Sequence, residues 1–107
     1  MHSDEKAIVV MTTLPDFKYA ETLAGNLISQ DLAACVQIIP QITSVYKWEG
    51  AIQKDSEVLL LVKTIQSKFS VVQNAIKENH PYTVPEVLAI PASDVSDDYL
   101  EWMSGVI

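Results

Sequence analysis

Arginine is absent from this 107-residue chain, and its seven lysines face fourteen carboxylates, giving a formal charge of -7. Without guanidinium the side chain best suited to bidentate phosphate recognition is missing, and the negative balance opposes a surface that tracks a phosphate backbone. Nucleic acid is excluded as an expected partner. A single cysteine, Cys35, forbids an internal disulfide and any Cys-x-x-Cys redox or zinc motif, which fits a reducing compartment such as the cytoplasm. Three glycines leave no Gly-x-Gly-x-x-Gly and no Walker-type loop, and nucleophile elbows and His-Glu-x-x-His motifs are also missing. No familiar catalytic reaction has a foothold, and no cofactor is required. Long apolar runs are lacking too: nothing approaches the ~20 residues of a membrane helix. The first six residues, Met1 to Lys6, read as an acidic, frayed tail rather than a secretory leader.

What is present is an apolar chain, 49% hydrophobic, of single-domain size. One domain is expected over residues 7–107. Ala7 to Thr13 is a β-branched run closed by Leu14-Pro15-Asp16, as in a strand buried on both faces. From Phe17 the apolar residues fall at helical spacing, with Asp16 as N-cap. Gly25 inside that helix costs about 1 kcal/mol relative to alanine, and a close helix-to-sheet approach would account for it. A strand-like region from Ala33 to Trp48 carries Pro40, which predicts a bulge or an edge. Trp48-Glu49-Gly50 then turns into a second run, Ala51 to Thr64. Arms of about fourteen residues at about 3.3 Å each would reach ~45 Å, so the tip of this hairpin should project.

Ser67 is positioned to cap a second helix, which must stop near Asn79-His80 before Pro81. Val84 to Ile90 reads as a fourth strand, and Ser96-Asp97-Asp98 opens a short terminal helix. The order βαββαβα predicts an α+β fold of the split βαβ, ferredoxin-like type with one added helix. Val58-Leu-Leu-Leu-Val62, Ile8 to Met11 and Val87 to Ile90 are apolar on both alternating faces, whereas two helices cover only one. The uncovered face exceeds what a monomer usually exposes, which predicts that other copies of the chain cover it.

The chemistry-bearing residues are few. Cys35 stands among small apolar neighbours and reads first as packing. His80 at a helix end suits either the C-terminal dipole or a ligand role. Glu57 interrupts an apolar strand, which places it in solvent or in a polar site between subunits. Lys63 shares its strand face and reads as a partner for Glu57 or for a neighbouring chain, or as a solvated strand-end charge. Tyr46 and Trp48 alternate onto one face near the hairpin tip, with Tyr82 after His80-Pro81, and read first as oligomer contacts. Glu86 reads as an edge charge.

Taken in order, Thr13-Leu-Pro-Asp16, Leu32-Ala-Ala-Cys35, Ile42-Thr-Ser-Val-Tyr-Lys-Trp-Glu-Gly50, Glu57-Val58, Lys63-Thr64, His80-Pro-Tyr-Thr-Val-Pro-Glu86 and Asp98-Tyr-Leu-Glu-Trp102 make the sequence similar to the divalent-cation tolerance protein CutA family. The resemblance covers nearly the whole chain. It implies a tight homotrimer of ferredoxin-like subunits, cytoplasmic and non-enzymatic, acting in tolerance of divalent metals such as copper. It also implies an architecture like that of the nitrogen-regulatory P-II proteins, hence a competing role as a sensor or scaffold binding a small molecule or protein. Copper ligands in the family occupy positions that here read Thr12, Asn79 and His80, so one of the three is present. Direct weak cation binding would then draw on His80 with Cys35 or Glu57. The alternative site is an inter-subunit cleft lined by Tyr46, Trp48, Lys63, His80, Tyr82 and Glu86.

Overall fold

The computed structural model describes residues 5–107. Of the tail expected at residues 1–6, residues 1–4 lie outside that range, while the Lys6 carbonyl accepts a 2.8 Å hydrogen bond from the Gln66 N–H. The elements are β1 (Ala7–Leu14), α1 (Phe17–Ser29), β2 (Cys35–Trp48), β3 (Ala51–Ile65), α2 (Phe69–Glu78), β4 (Leu88–Pro91) and α3 (Asp97–Val106), with a 3-10 turn, Gln66–Lys68, before α2. The four strands form one antiparallel sheet in the order β2-β3-β1-β4. The described residues thus make a mixed α and β fold of four strands and three helices.

Alternation along the strands assigns the two sheet faces. Ile8, Val10 and Leu14 of β1 and Val58, Leu60 and Val62 of β3 pack with Leu23 and Leu27 of α1 and Val72 and Ile76 of α2 into one core. The opposite set, including Val9, Met11, Leu59, Leu61 and Lys63, is only half-buried, and on β4 Leu88 and Ile90 stand exposed. Both sets are apolar, as the sequence predicts. The terminal helix α3 covers part of this second face: the Lys63 ammonium lies 5.9 Å over the Tyr99 ring, and Met103 is buried.

Local signals explain the element ends. The Asp16 carboxylate caps α1 by accepting from the Tyr19 N–H at 2.9 Å, and the Ser96 hydroxyl accepts from the Tyr99 N–H at 3.3 Å at the start of α3. Each cap is worth about 1 kcal/mol. At the hairpin tip Glu49 and Gly50 both have positive φ, 51° and 81°, the requirement of the two-residue turn whose twist matches paired strands. The β2–β3 register slips between Ile39 and Ile42, so Pro40 and Gln41 form a bulge opposite Val58. The hairpin projects beyond the sheet and gives the molecule extents of 49 × 26 × 23 Å.

Three expectations are corrected. Ser67 does not cap α2: it lies in the preceding 3-10 turn, the residue at the helix start is Lys68, which makes no side-chain cap, and the Ser67 hydroxyl donates to Glu5. The fourth strand runs only from Leu88, because Pro81 and Pro85 lack the N–H that a ladder needs and hold residues 81–87 in bends and loop. A Cβ added to Gly25 would meet nothing within 4 Å, so no close approach to the sheet explains that glycine.

Candidate functional site

β1 ends at Leu14, paired with Val58, so the next β3 residue outward, Glu57, has lost its neighbour on that side. The bulge at Pro40-Gln41 lies just across on β2, and Ile42 faces Glu57. At this junction the chain leaving α2 crosses the end of β1. The His80 imidazole anchors it: Nε2 lies 2.7 Å from the Thr13 carbonyl, and Nδ1 accepts from the Tyr82 N–H at 3.2 Å. A carbonyl only accepts, so Nε2 carries the proton and the ring is the neutral tautomer. The Tyr82 ring centroid lies 4.8 Å from that of His80, the planes tilted by 51°, and the Tyr82 phenol donates to Glu57 Oε2 at 2.6 Å. Glu57 is only 7% exposed.

Above Glu57 opens a cleft of about 670 Å³. Its walls are the hairpin residues Ser44, Val45, Tyr46, Trp48 and Asp55, the end of β1 at Thr13, and the loop residues Pro81 to Val84 with Glu86. The Tyr46 phenol donates to Asp55 across the two strands. The electrostatics are those of an acidic site. The Asp55 hydrogen bond, first, and desolvation raise the Tyr46 hydroxyl above its ordinary pKa. Burial raises the Tyr82 phenol strongly, aided by its bond to Glu57. Partial desolvation and then the Glu57 charge raise the Glu86 carboxyl. Burial lowers His80, and the Thr13 carbonyl and the Glu57 charge oppose that shift. Tyr46 and Tyr82 are therefore neutral donors at ordinary pH, and the cleft's formal charge comes from its carboxylates.

The structure brings Tyr46, Trp48, Glu57, Tyr82 and Glu86 to one place, with His80 directly behind Tyr82. It does not bring Cys35 or Lys63 there. Those two face each other across β2 and β3, six residues along the strand from Glu57, or ~20 Å at the strand rise. Lys63 lies over Tyr99 rather than beside Glu57. Thr12 is fully buried on the helix-covered face, and the Asn79 amide donates to the Ala75 carbonyl at 2.8 Å. Among the described residues no group of three or more His, Cys, Asp or Glu side chains is arranged to hold a metal ion. Asp55 and Ser44 were not singled out from sequence. A signal was available: pairing counted back from the Glu49-Gly50 turn sets Asp55 opposite Ser44 and on the Glu57 face.

The CutA1 divalent ion tolerance protein family matches residues 8–106. The chain is 44% identical over 95 residues to the divalent-cation tolerance protein CutA of Thermus thermophilus, covering 89% of this chain and 92% of that protein. It is 47% identical over 97 residues to the chloroplastic protein CutA of Arabidopsis thaliana, covering 91% of this chain but only 53% of that longer protein. The crystal structure of CutA1 from Oryza sativa superposes with a TM-score of 0.91 at 46% identity, covering 94% of this chain and 93% of that one. With the match running from the first strand to the end of α3, the chain belongs to the CutA1 divalent ion tolerance protein family.

Proposed function

We propose that this chain acts in divalent-cation tolerance as a cytoplasmic homotrimer of ferredoxin-like subunits, without catalysing a reaction, and that the cleft beside Glu57 is its binding site for a small ligand. The observation that carries this reading is the Glu57 carboxylate, 7% exposed yet lining an open cleft. Carboxylates are seldom withdrawn from water unless they serve a partner or a function. The trimer draws support from the half-buried apolar set Val9, Met11 and Leu61 and from exposed Leu88 and Ile90, a face that one short helix covers incompletely. The strand order β2-β3-β1-β4 supports the ferredoxin-like reading. For the compartment, the support is the lone cysteine; relatives carry both chloroplastic and periplasmic descriptions.

A second reading has copper or another divalent ion bound weakly through His80 with Cys35 or Glu57. It is favoured by the names of the relatives. The geometry lends it less, because both His80 ring nitrogens already make hydrogen bonds and Cys35 lies far along the sheet. Light scattering of the purified protein should give a three-chain mass. Calorimetric titration with copper and zinc should give weak binding that His80→Ala and Cys35→Ser leave unchanged. A monomeric mass, or micromolar copper binding lost in both variants, would overturn the proposal.

A further inference from the structure

The cleft beside Glu57 also constrains the charge of what enters it, and this step rests on the ligand-binding reading above. Among the described residues Glu57 receives one hydrogen bond, from the neutral Tyr82 phenol to Oε2, and Oε1 is not among the buried oxygens left without a partner, so it stays open to the cleft. No lysine lines the cleft, whereas Asp55 and Glu86 do. A carboxylate this little exposed, with a single neutral donor, favours a cation beside it. Partial desolvation, first, and the Glu57 charge hold the neighbouring Glu86 carboxyl above its ordinary pKa.

A bare divalent ion is a poor fit. It would need several ligand atoms converging within about 2.6 Å, and among the described residues no group of three His, Cys, Asp or Glu meets that demand. An organic ammonium ion makes no such demand. One N–H suffices for one carboxylate oxygen, and attraction to aromatic faces acts out to about 6 Å from the ring centre. The volume, about 670 Å³, lies inside the range of small-ligand sites. Tyr46, Trp48 and Val84 give an apolar body something to lie against, each still open to solvent.

We infer that the cleft bounded by Tyr46, Trp48, Asp55, Glu57, Tyr82 and Glu86 binds a small organic ammonium ion, its N–H donating to Glu57 and its apolar part resting on Trp48. Calorimetric titration of the full chain near neutral pH with phenethylammonium tests this, with phenethyl alcohol as the neutral counterpart, phenylacetate as the anionic one, and zinc. The amine should bind saturably, one per chain, and the alcohol and the acid should not. Glu57→Gln keeps an acceptor for the Tyr82 phenol and should weaken the amine at least about tenfold; Trp48→Leu should weaken it as well. If Glu57→Gln does not fold, by circular dichroism, Asp55→Asn takes its place with a smaller loss expected. Alcohol or acid binding as well as the amine, in a manner sensitive to Trp48→Leu, overturns the ammonium assignment and leaves the ligand cleft standing. The same holds for saturable, Glu57-dependent zinc binding without the amine. No saturable signal from any probe up to about 10 mM, as when a lysine of a second copy already fills the cleft, overturns both.

Discussion

The Tyr82 phenol donates a 2.6 Å hydrogen bond to Oε2 of the buried Glu57, tying the loop after α2 to the root of the hairpin. Tyr82 in turn is set by His80, whose ring accepts from the Tyr82 N–H and reaches the Thr13 carbonyl on β1. Four residues from three separate segments thus form one chain of contacts.

Tyr82→Phe leaves the Glu57 carboxylate buried without its donor. Loss of one partner from a buried polar pair costs about 1–3 kcal/mol, more when the survivor is charged. Urea denaturation should show a drop of that order, and Tyr82→Phe combined with Glu57→Gln should lose less than the sum of the two single changes.

His80 is neutral in the fold, its pKa held below the ordinary 6.5 by burial. The unfolded chain therefore binds the extra proton more readily, and the stabilisation is complete above 6.5 and fades as pH falls below it toward the lowered value. Protonation at Nδ1 also removes the acceptor of the Tyr82 N–H. Denaturation midpoints of the wild type and His80→Gln should differ most well above pH 6.5 and converge below it. A gap that widens on acidification would refute this.

The Thr12 hydroxyl is fully buried and has no hydrogen-bond partner among the described residues. Thr12→Val keeps the shape and removes the unmet polar group, so it should stabilise by about 1 kcal/mol, measured by thermal or chemical denaturation.

Gly25 lies exposed in α1 with free space where a Cβ would go. Gly25→Ala should stabilise by up to about 1 kcal/mol, read as a raised melting temperature with unchanged far-ultraviolet circular dichroism.

The fold was largely legible because its signals are local. Asp16 and Ser96 cap their helices, Pro40 breaks the register, and the Glu49-Gly50 turn fixes which residues pair, each through backbone chemistry that the sequence spells out. Ser67 misled because a 3-10 turn intervened before α2, a choice that residue preferences do not distinguish. The site was legible in part. Tyr46, Trp48, Glu57, Tyr82 and Glu86 stood out by residue type, but that loop 80–86 closes over Glu57 depends on contacts between segments distant in sequence. Cys35 was grouped with Glu57 on chemistry and Lys63 on a shared strand face, and their register places both well up the sheet.

Growth of cells lacking this protein, in raised divalent cation and complemented with the wild type or with Glu57→Gln, tests the central claim most directly. The wild type should restore tolerance, and Glu57→Gln, at equal abundance and with the same three-chain mass, should not. Full restoration by Glu57→Gln would contradict the account.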